Sequence, residues 1–74
     1  MARRLTLKQH LEDTELRVRR AQRRLDRQRE AVAALERAGQ DAAKAKRYLE
    51  ILEKALAVHV ADRDRLARLL ADRG

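Results

Sequence analysis

The sequence predicts an all-α protein, an antiparallel two-helix hairpin with coiled-coil-like packing. Alanine, leucine and arginine, which are strong helix formers, supply most of the 74 residues, and proline is absent. Apolar residues recur at alternating spacings of three and four in both halves of the chain. The only interior glycine, Gly39, separates these halves. We therefore expect residues 1–74 to form a single helical hairpin.

The first helix is expected to span about residues 6–38. Thr6 and Gln9 have the spacing of a capping box, in which two side chains satisfy backbone amides reciprocally. The residues that recur at coiled-coil spacing define the inner seam of this helix: Leu7, Leu11, Thr14, Val18, Ala21, Leu25, Gln28, Val32 and Leu35.

The turn is predicted at residues 39–41. Glycine commonly follows a helix C-terminus, where the backbone needs a positive φ, and Asp41 is a good N-cap for a second helix. A connection this short forces the two helices to be antiparallel, so residue i should lie opposite roughly residue 80 minus i. Ala21 is then expected to face His59, and Val32 to face Tyr48 and Leu49.

The second helix is predicted over about residues 42–72. Its inner seam comprises Ala42, Ala45, Leu49, Leu52, Leu56, His59, Arg63, Leu66 and Leu70. Further apolar residues flank this seam on both sides, among them Val60, Ala67 and Ala71 on one flank, so that the apolar arc is wider than one partner helix can cover. On the other flank, the predicted oligomer interface consists of Ile51, Ala55, Val58 and Leu69.

A second copy of the chain is the favoured cover for this arc. Two hairpins, packed helix 2 against helix 2, would make a four-helix bundle. A different helical protein would satisfy the same requirement, because monomeric proteins rarely expose a large apolar surface.

The densest charge cluster runs from Arg17 to Arg29 and contains seven arginines and one aspartate. On a helical wheel all of these arginines except Arg29 fall on an outer arc opposite the inner seam. The candidate polyanion contacts on this arc are Arg17, Arg20, Arg23, Arg24 and Arg27. Phosphate binding needs such cations, but stacking aromatics are missing and only Gln22 is suited to base reading, so nucleic-acid binding is expected to be nonspecific.

The basic face is equally consistent with causes that involve no nucleic acid. The formal net charge is +7, and 15 of the 19 basic residues are arginine, as a GC-rich genome would produce through codon usage alone. A solvated helix face, an acidic protein partner and anionic lipid each fit the same cluster of charge.

The polar residues of the inner seam are predicted to be structural. His10 and His59 lie too far apart along the hairpin to share a metal, so no metal site is expected. His59 should occupy a polar core position beside the small Ala21. Arg63 is expected to reach Asp13 or Glu15 on helix 1, while ion pairs within helix 2 are predicted for Asp62 with Arg65 and for Asp64 with Arg68.

No catalytic activity and no cofactor are predicted. The chain has neither serine nor cysteine and no glycine-rich loop before a helix, so the parts needed for nucleophilic or phosphate-cradling chemistry are missing. No apolar run is long enough to span a bilayer, and the N-terminal run Met1-Ala2-Arg3-Arg4 leads into mixed polar sequence rather than the apolar core of a signal peptide. A soluble protein without a signal peptide is expected.

Several short motifs carry a family resemblance. The segments 27–30 (RQRE) and 35–41 (LERAGQD), together with His59 followed by the segment 62–66 (DRDRL), resemble a family of short uncharacterised bacterial proteins. The resemblance implies a helical hairpin in the bacterial cytoplasm and no assigned activity. The predicted function is a noncatalytic helical interaction or oligomerisation module, with nonspecific nucleic-acid binding through the arginine face as the alternative.

Overall fold

The protein is an all-α helical hairpin, as the sequence predicts. A computed structural model describes residues 6–73, in which helix α1 spans Leu7–Arg37 and helix α2 spans Ala43–Arg73. The two helices pack against each other in a body of 54 × 29 × 14 Å, which is one helix layer thick. The N-terminal run Met1-Ala2-Arg3-Arg4 lies outside the described residues.

The start of α1 confirms the predicted capping box. The Thr6 amide donates to Gln9 Oε1 at 2.9 Å, and the Gln9 amide donates to Thr6 Oγ1 at 3.1 Å. Two backbone N–H groups that the first helical turn leaves unpaired are thereby satisfied, so the helix begins at Leu7.

The end of α1 is a Schellman motif built on Gly39. Gly39 has a φ of +70°, a region that residues with a Cβ adopt only at a cost. Its amide donates to the Glu36 carbonyl at 3.1 Å, and the Gln40 amide donates to the Leu35 carbonyl at 2.9 Å. Gly39 therefore stops α1 in the way the sequence predicts.

The start of α2 differs slightly from the prediction. The Ala42 carbonyl accepts the first helical hydrogen bond, from the Lys46 amide at 2.8 Å, so the capping position belongs to Ala42 and not to Asp41. The Asp41 carboxylate still accepts from the Ala43 amide at 2.9 Å. Asp41 thus satisfies a free amide of the first turn from one position earlier.

The core of the hairpin is small. Among the described residues, the buried apolar side chains are Leu25, Val32, Ala42 and Leu52, all from the inner seam. Thr14, a polar seam residue, is also buried, and its hydroxyl donates to the His10 carbonyl at 2.8 Å. Two helices therefore enclose only a narrow line of contacts, and most of their surface stays exposed.

Candidate interaction surface

An ion pair identifies the two sides of the hairpin. Lys46 Nζ lies 2.9 Å from Glu36 Oε2. Each of these residues comes one position after a seam residue, namely Ala45 and Leu35. In antiparallel helices, residues that follow a seam residue share one side, and residues that precede a seam residue share the opposite side. We call this opposite side the front of the hairpin.

The front of α2 carries an exposed apolar row. Its members each come one position before a seam residue and are Tyr48, Ile51, Ala55, Val58 and Leu69. Ile51 and Val58 are 61% and 60% exposed, and Ala55 between them is also exposed. The first four members follow the heptad spacing of a helix interface without interruption. They form a continuous apolar strip about 15 Å long.

The predicted interface residues are therefore only partly brought together. Ile51, Ala55 and Val58 lie in one strip. Leu69 lies on the same side but about 16 Å beyond Val58, past the charged Asp62 and Arg65.

Tyr48 belongs to this strip and was not among the predicted interface residues. The sequence predicts that Tyr48 faces Val32 across the inner seam, yet its side chain is 46% exposed. Tyr48 precedes the seam residue Leu49 by one position, as Ile51 precedes Leu52. This spacing is the signal that identifies it from sequence.

The front of α1 carries an arginine row. Its members, which also come one position before seam residues, are Arg17, Arg20, Arg24 and Arg27, and all four are exposed. The sequence predicts that these residues lie opposite the inner seam. For Arg17, Arg20 and Arg24 the structure differs, because they line a depression together with the seam residues Ala21 and His59. Arg23 is exposed but does not precede a seam residue, which separates it from the row.

The arginine row is poorly neutralised. No residue three or four positions from Arg20 or Arg24 is acidic, and Arg20 and Arg24 are themselves a like-charge pair on the helix. Arg17 pairs with Asp13 at 3.1 Å. The carboxylate inside the basic run, Asp26, accepts from Gln22 Nε2 at 3.0 Å and lies 3.7 Å from Arg29. Within residues 6–72, Arg20 and Arg24 make no ion pair, so their charge is available to a ligand or partner.

The depression between the helices comes from a small residue facing a larger one. Ala21 and His59 both line it and both are half-buried, which agrees with the predicted pairing of these two positions. Its volume is about 270 Å³, and it is open to solvent. A carboxylate or phosphate group fits this space, and guanidinium groups bind both.

The ion pairs of Arg63 and Asp64 differ from those the sequence predicts. Within the described residues Arg63 pairs with neither Asp13 nor Glu15, and Asp13 pairs with Arg17 on its own helix. Arg63 instead donates to Asp64 Oδ1, from Nη2 at 3.0 Å and from Nε at 3.2 Å. The described residues therefore show Asp64 paired with Arg63 and not with Arg68.

The other ion pair predicted within α2 is present. Arg65 Nη2 lies 3.4 Å from Asp62 Oδ1. This pair occupies the front of α2 between Val58 and Leu69, so it is the polar interruption of the apolar row.

The described part of the chain contains neither a metal site nor a membrane span. Residues 6–73 bring together no group of three or more histidine, cysteine, aspartate or glutamate side chains. Within the same residues, neither helix combines the length and the apolar character that a membrane crossing needs.

Comparison with known proteins gives no assignment. No protein-family model matches the chain, and neither a curated protein nor a solved structure matches it. The resemblance to short bacterial helical-hairpin proteins therefore stays a prediction.

Proposed function

We propose that the chain is a noncatalytic helical interaction module that packs the apolar row of α2 against another helix. The observation that supports this proposal is the exposure of Ile51 and Val58, each about three-fifths open to solvent, at heptad spacing on the front of the hairpin. Full burial of one such side chain contributes about 1.5–3 kcal/mol, so an uncovered row loses a substantial part of that contribution at each position. A second copy of the chain and a different helical protein both have the shape needed to cover the row.

The proposed location is the bacterial cytoplasm. Its support is the family resemblance of the sequence.

Replacing Ile51 and Val58 together by glutamate tests the proposal. Because both side chains are mainly exposed in the single hairpin, the double variant should keep its helical circular dichroism. It should lose association with itself or with any captured partner, since two charges would then be buried at the centre of the contact.

The matched control places the same two charges elsewhere on α2. Ala57→Glu with Ala61→Glu changes two exposed residues that do not precede the seam, and it should leave association unchanged. Sedimentation equilibrium at micromolar protein, for the wild type and both variants, gives the comparison. If the wild type self-associates, the proposal is wrong when the apolar row variant and the control associate as well as the wild type does.

Nonspecific nucleic-acid binding is the second candidate function. The specific observation in its favour is the charge of Arg20 and Arg24, which have no ion-pair partner among residues 6–72 and lie beside an open depression. Binding through phosphates predicts that affinity falls steeply with salt, with a log–log slope of about −0.9 per phosphate neutralised on duplex DNA. Changing Arg20, Arg24 and Arg27 to glutamine should flatten this slope, and absence of binding to duplex DNA and RNA at about 50 mM salt would remove the candidate.

A further inference from the structure

The apolar row and the arginine row lie side by side on the front of the hairpin. Arg17, Arg20 and Arg24 all line the depression over Ala21 and His59. The arginine row therefore lies beside the part of α2 that contains His59. By the antiparallel pairing, Arg24 lies level with residue 56, beside Ala55, and Arg20 lies level with residue 60, about 3 Å along the helix from Val58. The helix axes of such a pair are about 8–10 Å apart, so any helix that covers the apolar row also comes within reach of the arginines.

A second copy of the chain is a poor electrostatic match for this surface. A twofold axis that pairs α2 with an antiparallel copy of itself keeps both α1 helices on the same side of the contact. With the twofold axis at the middle of the strip, near residue 53, Arg27 of one copy faces Arg27 of the other, and both arginine rows add positive charge to the same side of the dimer. Each copy also carries a formal net charge of +7, which adds a longer-range repulsion.

We propose that the partner of this module is an amphipathic helix with an acidic flank. This inference rests on the proposed interaction function and names the chemistry of the partner. Apolar side chains of the partner cover Tyr48, Ile51, Ala55 and Val58. Carboxylates on the flank that faces α1 pair with Arg20 and Arg24, neither of which has an acidic residue three or four positions away on its own helix.

The depression over Ala21 and His59 contributes to the same contact. Its volume of about 270 Å³ admits a glutamate side chain from the partner, with Arg20 and Arg24 on its wall. Arginine binds carboxylates through two parallel N–H groups, so a carboxylate held there gains geometric specificity in addition to charge.

A helical partner fits the surface better than an anionic membrane does. Helices that bind membrane surfaces present bulky apolar residues such as tryptophan, phenylalanine and leucine. The row here has one aromatic residue, a small Ala55 at its centre and the Asp62–Arg65 pair beyond Val58. Heptad spacing with a small central residue is the pattern that receives side chains of another helix.

The probe for this proposal is a synthetic helical peptide of about four heptads, with leucine at the a and d positions and glutamate along one flank. Two further peptides carry glutamine or lysine along that flank. A peptide with its acidic flank on the opposite edge is not a useful control, because a helix can reverse its direction and present either edge to α1. Binding to the full chain is measured by fluorescence anisotropy at about 100 mM salt, below the concentration at which each peptide assembles with itself.

We expect the glutamate peptide to bind about tenfold more tightly than the glutamine peptide, and the lysine peptide to bind most weakly. Changing Arg20 and Arg24 to glutamine should reduce glutamate-peptide binding about three- to tenfold and leave glutamine-peptide binding unchanged. The matched control, Arg19→Gln with Arg23→Gln, removes the same charge at the same spacing from residues outside the row. This control should keep most of the preference for the glutamate peptide over the glutamine peptide. That result would show that the preference depends on the arginine row and not only on the net positive charge of the protein.

Two groups of outcomes contradict the proposal, and they differ in what they say about the interaction function. Equal binding of the three peptides, each weakened by Ile51→Glu with Val58→Glu, would retain the interaction module and reject the acidic partner. Self-association stronger than peptide binding would reject the acidic partner in favour of a second copy of the chain. Failure of all three peptides and of self-association would reject both proposals, and so would binding only to phosphatidylserine vesicles, which assigns the front to lipid.

Discussion

The side-chain amide of Gln28 donates from Nε2 to the main-chain carbonyl oxygen of Ala45 at 3.0 Å, which connects the middle of α1 directly to the backbone of α2. Gln28 is half-buried in the inner seam, where most neighbours are apolar. A polar residue there has few alternative partners, so the bond favours one alignment of the helices over others shifted along the seam.

Replacing Gln28 with alanine should lower the free energy of unfolding by about 1 kcal/mol, the typical contribution of one hydrogen bond. Gln22→Ala is the control, because Gln22 bonds within α1 to Asp26 and is exposed. Its effect should stay within about 0.5 kcal/mol. Urea denaturation measures both changes, and equal losses would mean that the contact across the helices contributes nothing of its own.

Replacing Gly39 with alanine should destabilise the hairpin by about 1–2 kcal/mol, because the φ of +70° strains a residue that has a Cβ. Apart from Gly39 itself and its two chain neighbours, no residue has an atom within 4 Å of the position that this Cβ would occupy, so the cost is conformational and not steric. Gly39→Asn should cost less, since asparagine tolerates this conformation better. Thermal unfolding of the two variants tests whether alanine costs more stability than asparagine. Equal losses of stability would mean that the positive φ is not the cause.

Replacing Ala21 with leucine should raise the free energy of unfolding by about 0.5–1 kcal/mol by filling the depression beside His59. Ala31→Leu, at an exposed position of the same helix, controls for helix propensity and should have a smaller effect. Both variants are compared by urea denaturation. A destabilised Ala21→Leu variant would show that the space beside His59 cannot accept a larger side chain.

Replacing Leu25 with alanine should cost about 2–5 kcal/mol, because its side chain is 2% exposed. A core this small supplies only about 3–5 kcal/mol of net stability, so the variant should be largely unfolded at room temperature. Ile51→Ala, at a position that is 61% exposed, should change stability by less than about 0.5 kcal/mol in the monomer. Circular dichroism at low micromolar concentration distinguishes the two, and a folded Leu25→Ala variant would show that the seam is not the main source of stability.

Self-association, which the sequence predicts from the wide apolar arc of α2, should strengthen as salt is raised from about 50 to 500 mM. Salt screens the repulsion between two copies that each carry a formal net charge of +7, since the Debye length falls from about 10 Å at 0.1 M to about 3 Å at 1 M. In the Arg20→Gln, Arg24→Gln variant the dimer should be stronger at low salt and less sensitive to salt. Sedimentation equilibrium at several salt concentrations gives the result. Dimerisation that weakens with salt would mean that attractive ion pairs, and not repulsion between like charges, dominate the contact.

Much of this fold is determined within a few residues of chain, which is why the sequence predicts it. Thr6 with Gln9 and the positive φ of Gly39 depend on hydrogen bonds between near neighbours, and both are present as predicted. The inner seam follows from the helical repeat, and the buried Leu25, Val32 and Leu52 all belong to it. The exposure of Ile51 and Val58 follows from the same repeat, because one neighbouring helix covers only a limited arc.

Only the tertiary structure decided how the two helices turn toward each other and what their side chains then meet. The helical repeat and antiparallel packing already put the residues that precede the seam on one side of the hairpin, in agreement with the contact between Lys46 and Glu36, but they do not fix how closely a long side chain approaches the seam. The packed pair brings Arg17, Arg20 and Arg24 to a depression at the seam, where the sequence predicts arginines turned away from it. The partner of Arg63 is likewise decided by the packed geometry, in which this long side chain pairs with the adjacent Asp64 instead of reaching α1.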